Sequence, residues 1–187
     1  MALAVRQPVR GWFFHGVRDR AAFAAVCRDG LRLPTEHASD PGDLGRGVYL
    51  TKSRSEALHY GTGGVLAARV DLKSAFVLNF KKGTGRPWYN AMTQKFGGNP
   101  VNGDVAKQMR MLTDDEAPVY GGTEQWADRI RFAGIWHEAL IADGVDGLVT
   151  VGWDLGETVV LFQPEKSVLE LRCFKSGNEA RRFKIEK

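Results

Sequence analysis

The sequence predicts an α+β domain with a mostly antiparallel sheet, on three observations. Strand and helix patterns alternate at the start, and the chain then turns mainly to strands with one inserted helical region. The late strand patterns are separated by short loops, which pairs neighbours antiparallel. Finally, no Gly-x-Gly-x-x-Gly opens a helix after a strand and no phosphate-loop lysine motif occurs, so a doubly wound parallel sheet is disfavoured.

The elements follow in order. Residues 9–14 are β-branched and aromatic and read as a strand. Asp19 caps a helix over 20–29 that puts Phe23, Val26 and Cys27 on one face, and Gly30 ends it. Residues 31–33 form a short extended piece stopped by Pro34, and 35–45 form a polar loop. A strand over 47–51 precedes Ser53-Arg54-Ser55-Glu56, a capping box that starts a helix running to Tyr60. Two strands, 65–71 and 75–80, come next. Residues 81–122 are rich in Gly, Pro and Asn with little periodicity, apart from a short helix at 104–112, and read as an irregular insertion facing the acceptor or acting as a lid. Helical periodicity returns over 124–142 and stops at Gly144. Strands at 147–151, 158–162 and 168–174 complete the fold, followed by a basic tail at 175–187 that reads as a fraying terminus.

At 187 residues the chain is one domain, 1–187, large enough to bury a core without staples. Cys27 and Cys173 lie far apart and form no spaced cluster, which predicts two reduced thiols and no metal site. His15, His37, His59 and His137 are not at ligand spacing to one another either. The N-terminus is polar too early for a signal peptide, and no apolar run reaches bilayer length. A cytoplasmic chain, or one delivered into a target cell without a cleaved signal, is expected, with no membrane partner. The net charge of +4 favours anionic ligands in general but not nucleic acid in particular.

Three stretches carry candidate chemistry. Phe14-His15-Gly16 ends the first strand. Gly45-Arg46-Gly47-Val48-Tyr49-Leu50 leads into the helix that closes on His59-Tyr60. Gly156-Glu157 opens the apolar run Thr158-Val159-Val160-Leu161-Phe162. Each alone reads as ordinary structure; their order and the spacing of eleven between Tyr49 and Tyr60 give them weight.

In this combination the chain resembles the ADP-ribosyltransferase superfamily, in the His-Tyr-Glu branch of diphtheria-like toxins and poly(ADP-ribose) polymerases. The likeness runs over 12–79, where Gly30-Leu31-Arg32-Leu33-Pro34 also matches, and over 144–174, where Gly144-Val145-Asp146-Gly147 looks bacterial or phage-like. It implies split, mostly antiparallel sheets flanked by helices, with an NAD cleft between them. It implies NAD⁺ as co-substrate and no metal. His15, Tyr49 and Glu157 would be catalytic, and His15, Gly16, Arg32, Tyr49 and Tyr60 would bind NAD⁺. In the implied arrangement His15 holds the adenosine ribose and Gly16 offers its backbone to the carboxamide. Tyr49 and Tyr60 clamp the nicotinamide ring, and Arg32 lies near the adenosine or pyrophosphate. Glu157 binds the nicotinamide ribose and stabilises an oxocarbenium-like transition state, worth about 3 kcal/mol or more.

The implied function is mono-ADP-ribosylation of a macromolecular acceptor, protein or nucleic acid, by a bacterial or phage toxin or effector. An antitoxin or immunity protein is a partner of such proteins. The alternative is a catalytically silent NAD⁺- or ADP-ribose-binding module of the same fold. Three departures bear on this. Ala57 stands where polymerases carry a serine, with Ser55 two residues off. Either Glu157, given a one-residue bulge, or Thr158 takes the catalytic position of the late strand. Leu155 replaces the acidic or amide residue of arginine-modifying toxins, which disfavours arginine as acceptor, while Trp153 and Asp154 sit in a loop that meets acceptors in this superfamily.

Overall fold

A computed structural model describes residues 6–33, 47–79, 140–151 and 157–185. The elements, in chain order, are β1 (Arg6–Val17), α1 (Arg20–Asp29), β2 (Val48–Thr51), α2 (Arg54–Tyr60), β3 (Gly64–Asn79), β4 (Gly147–Val151), β5 (Thr158–Leu161), α3 (Pro164–Ser167), β6 (Val168–Phe174) and α4 (Gly177–Arg182). The architecture is mixed α+β. The expected elements at 35–45 and 81–122, and all but the last turn of the helix at 124–142, lie outside the described residues; 140–142 are helical and Gly144 follows at φ 77°.

The strands join in the order β1-β2-β5-β4-β3-β6, and β1 also pairs with β3. Five strands therefore close into a small barrel, with β6 added outside on β3. The two split sheets of the sequence reading are replaced, among the described residues, by this one closed sheet. All pairs are antiparallel except β3–β4, which is parallel from Ala75↔Gly147 to Asn79↔Val151. The late strands behave only partly as expected. β4 and β5 pair antiparallel, but β6 passes over β5 and pairs with β3.

Alternation builds two apolar layers. Val9, Phe13 and Val17 of β1 pack with Val48, Leu50, Leu66, Leu72, Val159 and Leu161 in the main core. The intervening Trp12 and Phe14 face the other way, against Ala57, Leu58, Ala67, Ala180 and Phe183. A strand repeat of two residues makes this sorting automatic.

Local signals hold where a side chain satisfies an orphan backbone group. Asp19 accepts from the Ala22 N–H at 2.7 Å to start α1, and Gly30 at φ 81° ends it. Ser53 accepts from the Glu56 N–H at 3.3 Å to start α2.

Three expectations are corrected. The strands at 65–71 and 75–80 are one strand, β3. Residues 72–74, left between the two expected strands, continue it: Lys73 points outward between buried Leu72 and Ala75, and the Asp146 carboxylate accepts the Lys73 and Ser74 N–H groups at 2.7 and 3.1 Å. The basic tail is held in place through its described residues, 175–185. Ser176 caps α4, Ala180 is buried, and the Phe183 ring lies 5.1 Å from Trp12 and 5.2 Å from Phe174. Arg54 donates to the Arg181 and Phe183 carbonyls at 2.8 and 3.0 Å, fastening the tail to α2. Finally, Cys27 and Cys173 are not free thiols but form a disulfide across 146 residues, with Cα atoms 6.0 Å apart. Packing of α1 against β6 brings them together, a proximity that sequence spacing does not encode.

No helix among the described residues is long and apolar enough to cross a membrane.

Candidate functional site

The candidate residues gather where β1, β2 and β5 run side by side. β1 and β2 meet in register at Phe14↔Thr51. Just beyond that pair the ladder bond is supplied by a side chain: His15 Nδ1 lies 2.6 Å from the Tyr49 carbonyl oxygen. A carbonyl only accepts, so Nδ1 carries the proton, and in the neutral ring Nε2 is left as an acceptor. Burial pushes the His15 pKa below its ordinary 6.5, and the bond to Tyr49 opposes this less strongly, so the neutral ring is favoured.

Gly16 faces α2. A Cβ there would stand 2.1 Å from the Ala57 carbonyl oxygen, 2.6 Å from Gly61 N and 2.9 Å from the Tyr60 carbonyl carbon. Only glycine lets β1 lie this close to the last turn of α2. The strand thus seats His15 and Gly16 beside Tyr49 and the backbone of Tyr60. Tyr60 is 39% exposed; Arg18 sits 5.4 Å from its ring centroid and His59 meets the ring edge-on at 5.1 Å. One neighbour of that ring is therefore a cation on the chain itself. Ala57 is buried against Phe14, and Ser55 turns back to the Ser53 hydroxyl at 2.9 Å.

The bulge on which Glu157, rather than Thr158, would take the catalytic position is absent from β5. Tyr49↔Val160, Leu50↔Val159 and Thr51↔Thr158 follow one another without a shift, so no bulge intervenes. Thr158 is buried, and its N–H donates to Thr150 Oγ1 at 3.0 Å. Glu157, one residue before β5, is half-exposed. Its backbone oxygen accepts the Lys52 N–H at 2.9 Å, and its Oε1 lies 2.8 Å from Lys52 Nζ.

Strand alternation divides the set between two faces. His15 falls with Phe13 and Val17, and Glu157 with Val159, on the barrel side; Gly16 and Tyr49 fall on the α2 side. His15 and Glu157 are separated by two strand spacings and two residues along the strand, about 12 Å between backbones. Along β2, Tyr49 stands beside Val160 near the start of the strand and Glu157 beside Lys52 just past its end, so a ligand touching all of them would run along β2 and not lie flat on one face.

Arg32 is apart from this group. It is exposed and lines a cleft of about 600 Å³ with Leu31, Pro164, Glu165 and β6, to which none of the other candidates contributes. Trp153, Asp154 and Leu155 lie outside the described residues, as do His37 and His137. Among the described residues no group of three or more His, Cys, Asp or Glu is placed to hold a metal ion. Sequence reasoning missed Lys52 and Arg18. Lys52 lies one residue past β2, opposite Glu157, a placement set by strand register with no signal in the sequence.

The fold and site define a class: a mixed α+β barrel with a His–Tyr contact between β1 and β2 and a carboxylate just before β5. No family model and no curated protein matches the chain. Two solved structures are similar in shape. One is the crystal structure of an anti-CRISPR protein, at 14% identity and a TM-score of 0.46, covering 90% of this chain and 96% of that one. The other is the toxin–antitoxin complex MbcT–MbcA of M. tuberculosis, at 13% identity and a TM-score of 0.39, covering 96% of this chain and 89% of that one.

Proposed function

We propose that the chain is an NAD⁺-dependent mono-ADP-ribosyltransferase with an ADP-ribosyltransferase fold, acting as a toxin or effector on a macromolecular acceptor. The observation that supports the reading is the proximity of His15, Gly16, Tyr49 and the α2 terminus, with Glu157 just before β5 on the far side of β2. NAD⁺ is the substrate. Its N-glycosidic bond breaks, the bonding pair leaves with nicotinamide, and positive charge develops on the ribose. A carboxylate held beside that ribose stabilises the charge in a partly desolvated mouth. An acceptor nucleophile then bonds to the anomeric carbon and loses its proton.

The neutral His15 ring suits the ribose hydroxyls, since Nε2 accepts without adding charge near the developing cation. Gly16 leaves its backbone as the group nearest a carboxamide. An antitoxin or immunity protein is the partner such a toxin requires in its producing cell.

A second reading is favoured by one observation. Glu157 is paired with Lys52, which offsets its charge, so the same fold could hold NAD⁺ or ADP-ribose without cleaving it. Incubation with labelled NAD⁺ and whole-cell lysate, comparing wild type with Glu157→Gln, separates the two. Glu157-dependent release of nicotinamide with label on protein or nucleic acid supports the transferase. Saturable NAD⁺ binding with no release supports the silent module, and neither binding nor release refutes both.

A further inference from the structure

We infer that Lys52 is a positioning residue that fixes the rotamer of the Glu157 carboxylate, leaving one oxygen directed at the substrate. The inference rests on reading Glu157 as the carboxylate of the proposed reaction.

Three contacts act on this lysine. Its backbone N–H donates to the Glu157 carbonyl at 2.9 Å, extending the β2–β5 ladder one step past Thr51↔Thr158. Its ammonium lies 2.8 Å from Glu157 Oε1. The same ammonium stands 5.2 Å from the centroid of the Phe13 ring, whose side chain is wholly buried in the main core. A surface lysine ordinarily samples many rotamers, at about 2 kcal/mol of entropy. Here the electron-rich face of a core ring and a carboxylate both draw Nζ to one place. Because Phe13 is fixed by the barrel, Lys52 passes that rigidity to a glutamate which sits outside the strand.

Among the described residues the pair engages Oε1, and the inference assigns Oε2 to a ribose hydroxyl. Two effects of the ammonium oppose each other. It offsets part of the carboxylate's negative field, and it holds the carboxylate in place. Placement dominates when a misplaced group loses its hydrogen bond to the substrate altogether. The pair itself is half-exposed and adds little to stability, so its removal is separable from misfolding.

The experiment measures nicotinamide release from NAD⁺ by wild type, Lys52→Met, Lys52→Arg, Glu157→Gln and the Lys52→Met/Glu157→Gln double variant. Lys52→Met, which keeps the apolar stem, is expected to lower kcat by about 10- to 100-fold. Its KM for NAD⁺ stays within about threefold, and its melting temperature stays within about 2 °C of wild type. Lys52→Arg, still able to reach Oε1 and stack on Phe13, recovers most of the rate. The double variant is no slower than Glu157→Gln alone, because the lysine acts only through the glutamate. If Lys52→Met lowers the melting temperature further, Lys52→Gln replaces it. Unchanged or raised kcat in the charge-removed variant, or losses that multiply in the double variant, overturn the inference while the transferase reading stands. No nicotinamide release by wild type overturns the transferase reading and this inference together.

Discussion

The imidazole of His15 is bound through Nδ1 to the backbone carbonyl of Tyr49, at 2.6 Å, so the two residues at the centre of the candidate site are joined side chain to main chain. Burial keeps this imidazole's pKa below 6.5. In the window between the folded pKa and 6.5, the unfolded chain binds more protons than the folded one. Stability therefore rises with pH through that window, is fully present above about pH 6.5, and is lost as pH falls below it. Melting temperatures of wild type and His15→Asn, whose amide still donates to Tyr49, test this between about pH 5 and 8. The two curves should run parallel above the window, with wild type falling more steeply below it. Curves parallel throughout would refute the assignment.

Gly16→Ala should destabilise the protein by about 1–3 kcal/mol. The new methyl meets backbone atoms of Ala57, Tyr60 and Gly61 within 3 Å, and backbone cannot rotate aside. Urea denaturation measures this. An unchanged midpoint would mean that α2 is not seated on β1 as described.

The Cys27–Cys173 bond closes a loop of 146 residues. Reduction, or a Cys27→Ser/Cys173→Ser variant, is expected to lower unfolding free energy by about 2–5 kcal/mol, mainly by freeing the unfolded chain. Melting curves of the wild type with and without reductant should differ, and those of the double variant should not. Identical curves for oxidised and reduced wild type would contradict it.

Phe183→Ala removes a ring packed on both Trp12 and Phe174. A loss of about 2 kcal/mol is expected, together with faster amide exchange in α4. A variant as stable as wild type would show that the C-terminal helix contributes nothing to the fold.

Asp146→Ala leaves the Lys73 and Ser74 N–H groups without their acceptor. About 2 kcal/mol of destabilisation should follow, by the desolvation cost of orphaned donors. Asp146→Asn, which retains one acceptor oxygen, should recover part of it, and equal losses in both variants would point to another cause.

These cases mark what the sequence disclosed. Local chemistry was legible: Asp19 and Gly30 bound α1, and Ser53 with Glu56 starts α2, because each signal concerns atoms within a few residues. The short apolar runs of β2, β4 and β5 were legible as strands for the same reason, although only β2 alternates and β4 and β5 are buried almost throughout. Long-range chemistry was not. The Asp146 clip that lets β3 run unbroken comes from 72 residues away. The disulfide partners, the docking of Phe183 and the β1–β3 closure are likewise tertiary facts. In the candidate site, the motifs brought His15, Gly16, Tyr49 and Glu157 to notice. They gave no hint of Lys52, whose significance comes from sitting over Phe13 and against Glu157 at once.

The barrel's hoop is not equally strong all round. β1 is laced to β3 along nearly its whole length, from Arg6↔Phe76 to Val17↔Gly64, whereas among the described residues it touches β2 in register only at Phe14↔Thr51. A short join frays before a long one, since fewer hydrogen bonds must part together. The weakest stitch thus lies beside His15, and any breathing that admits a guest between the strands should begin there, with β3 serving as the spine that stays still.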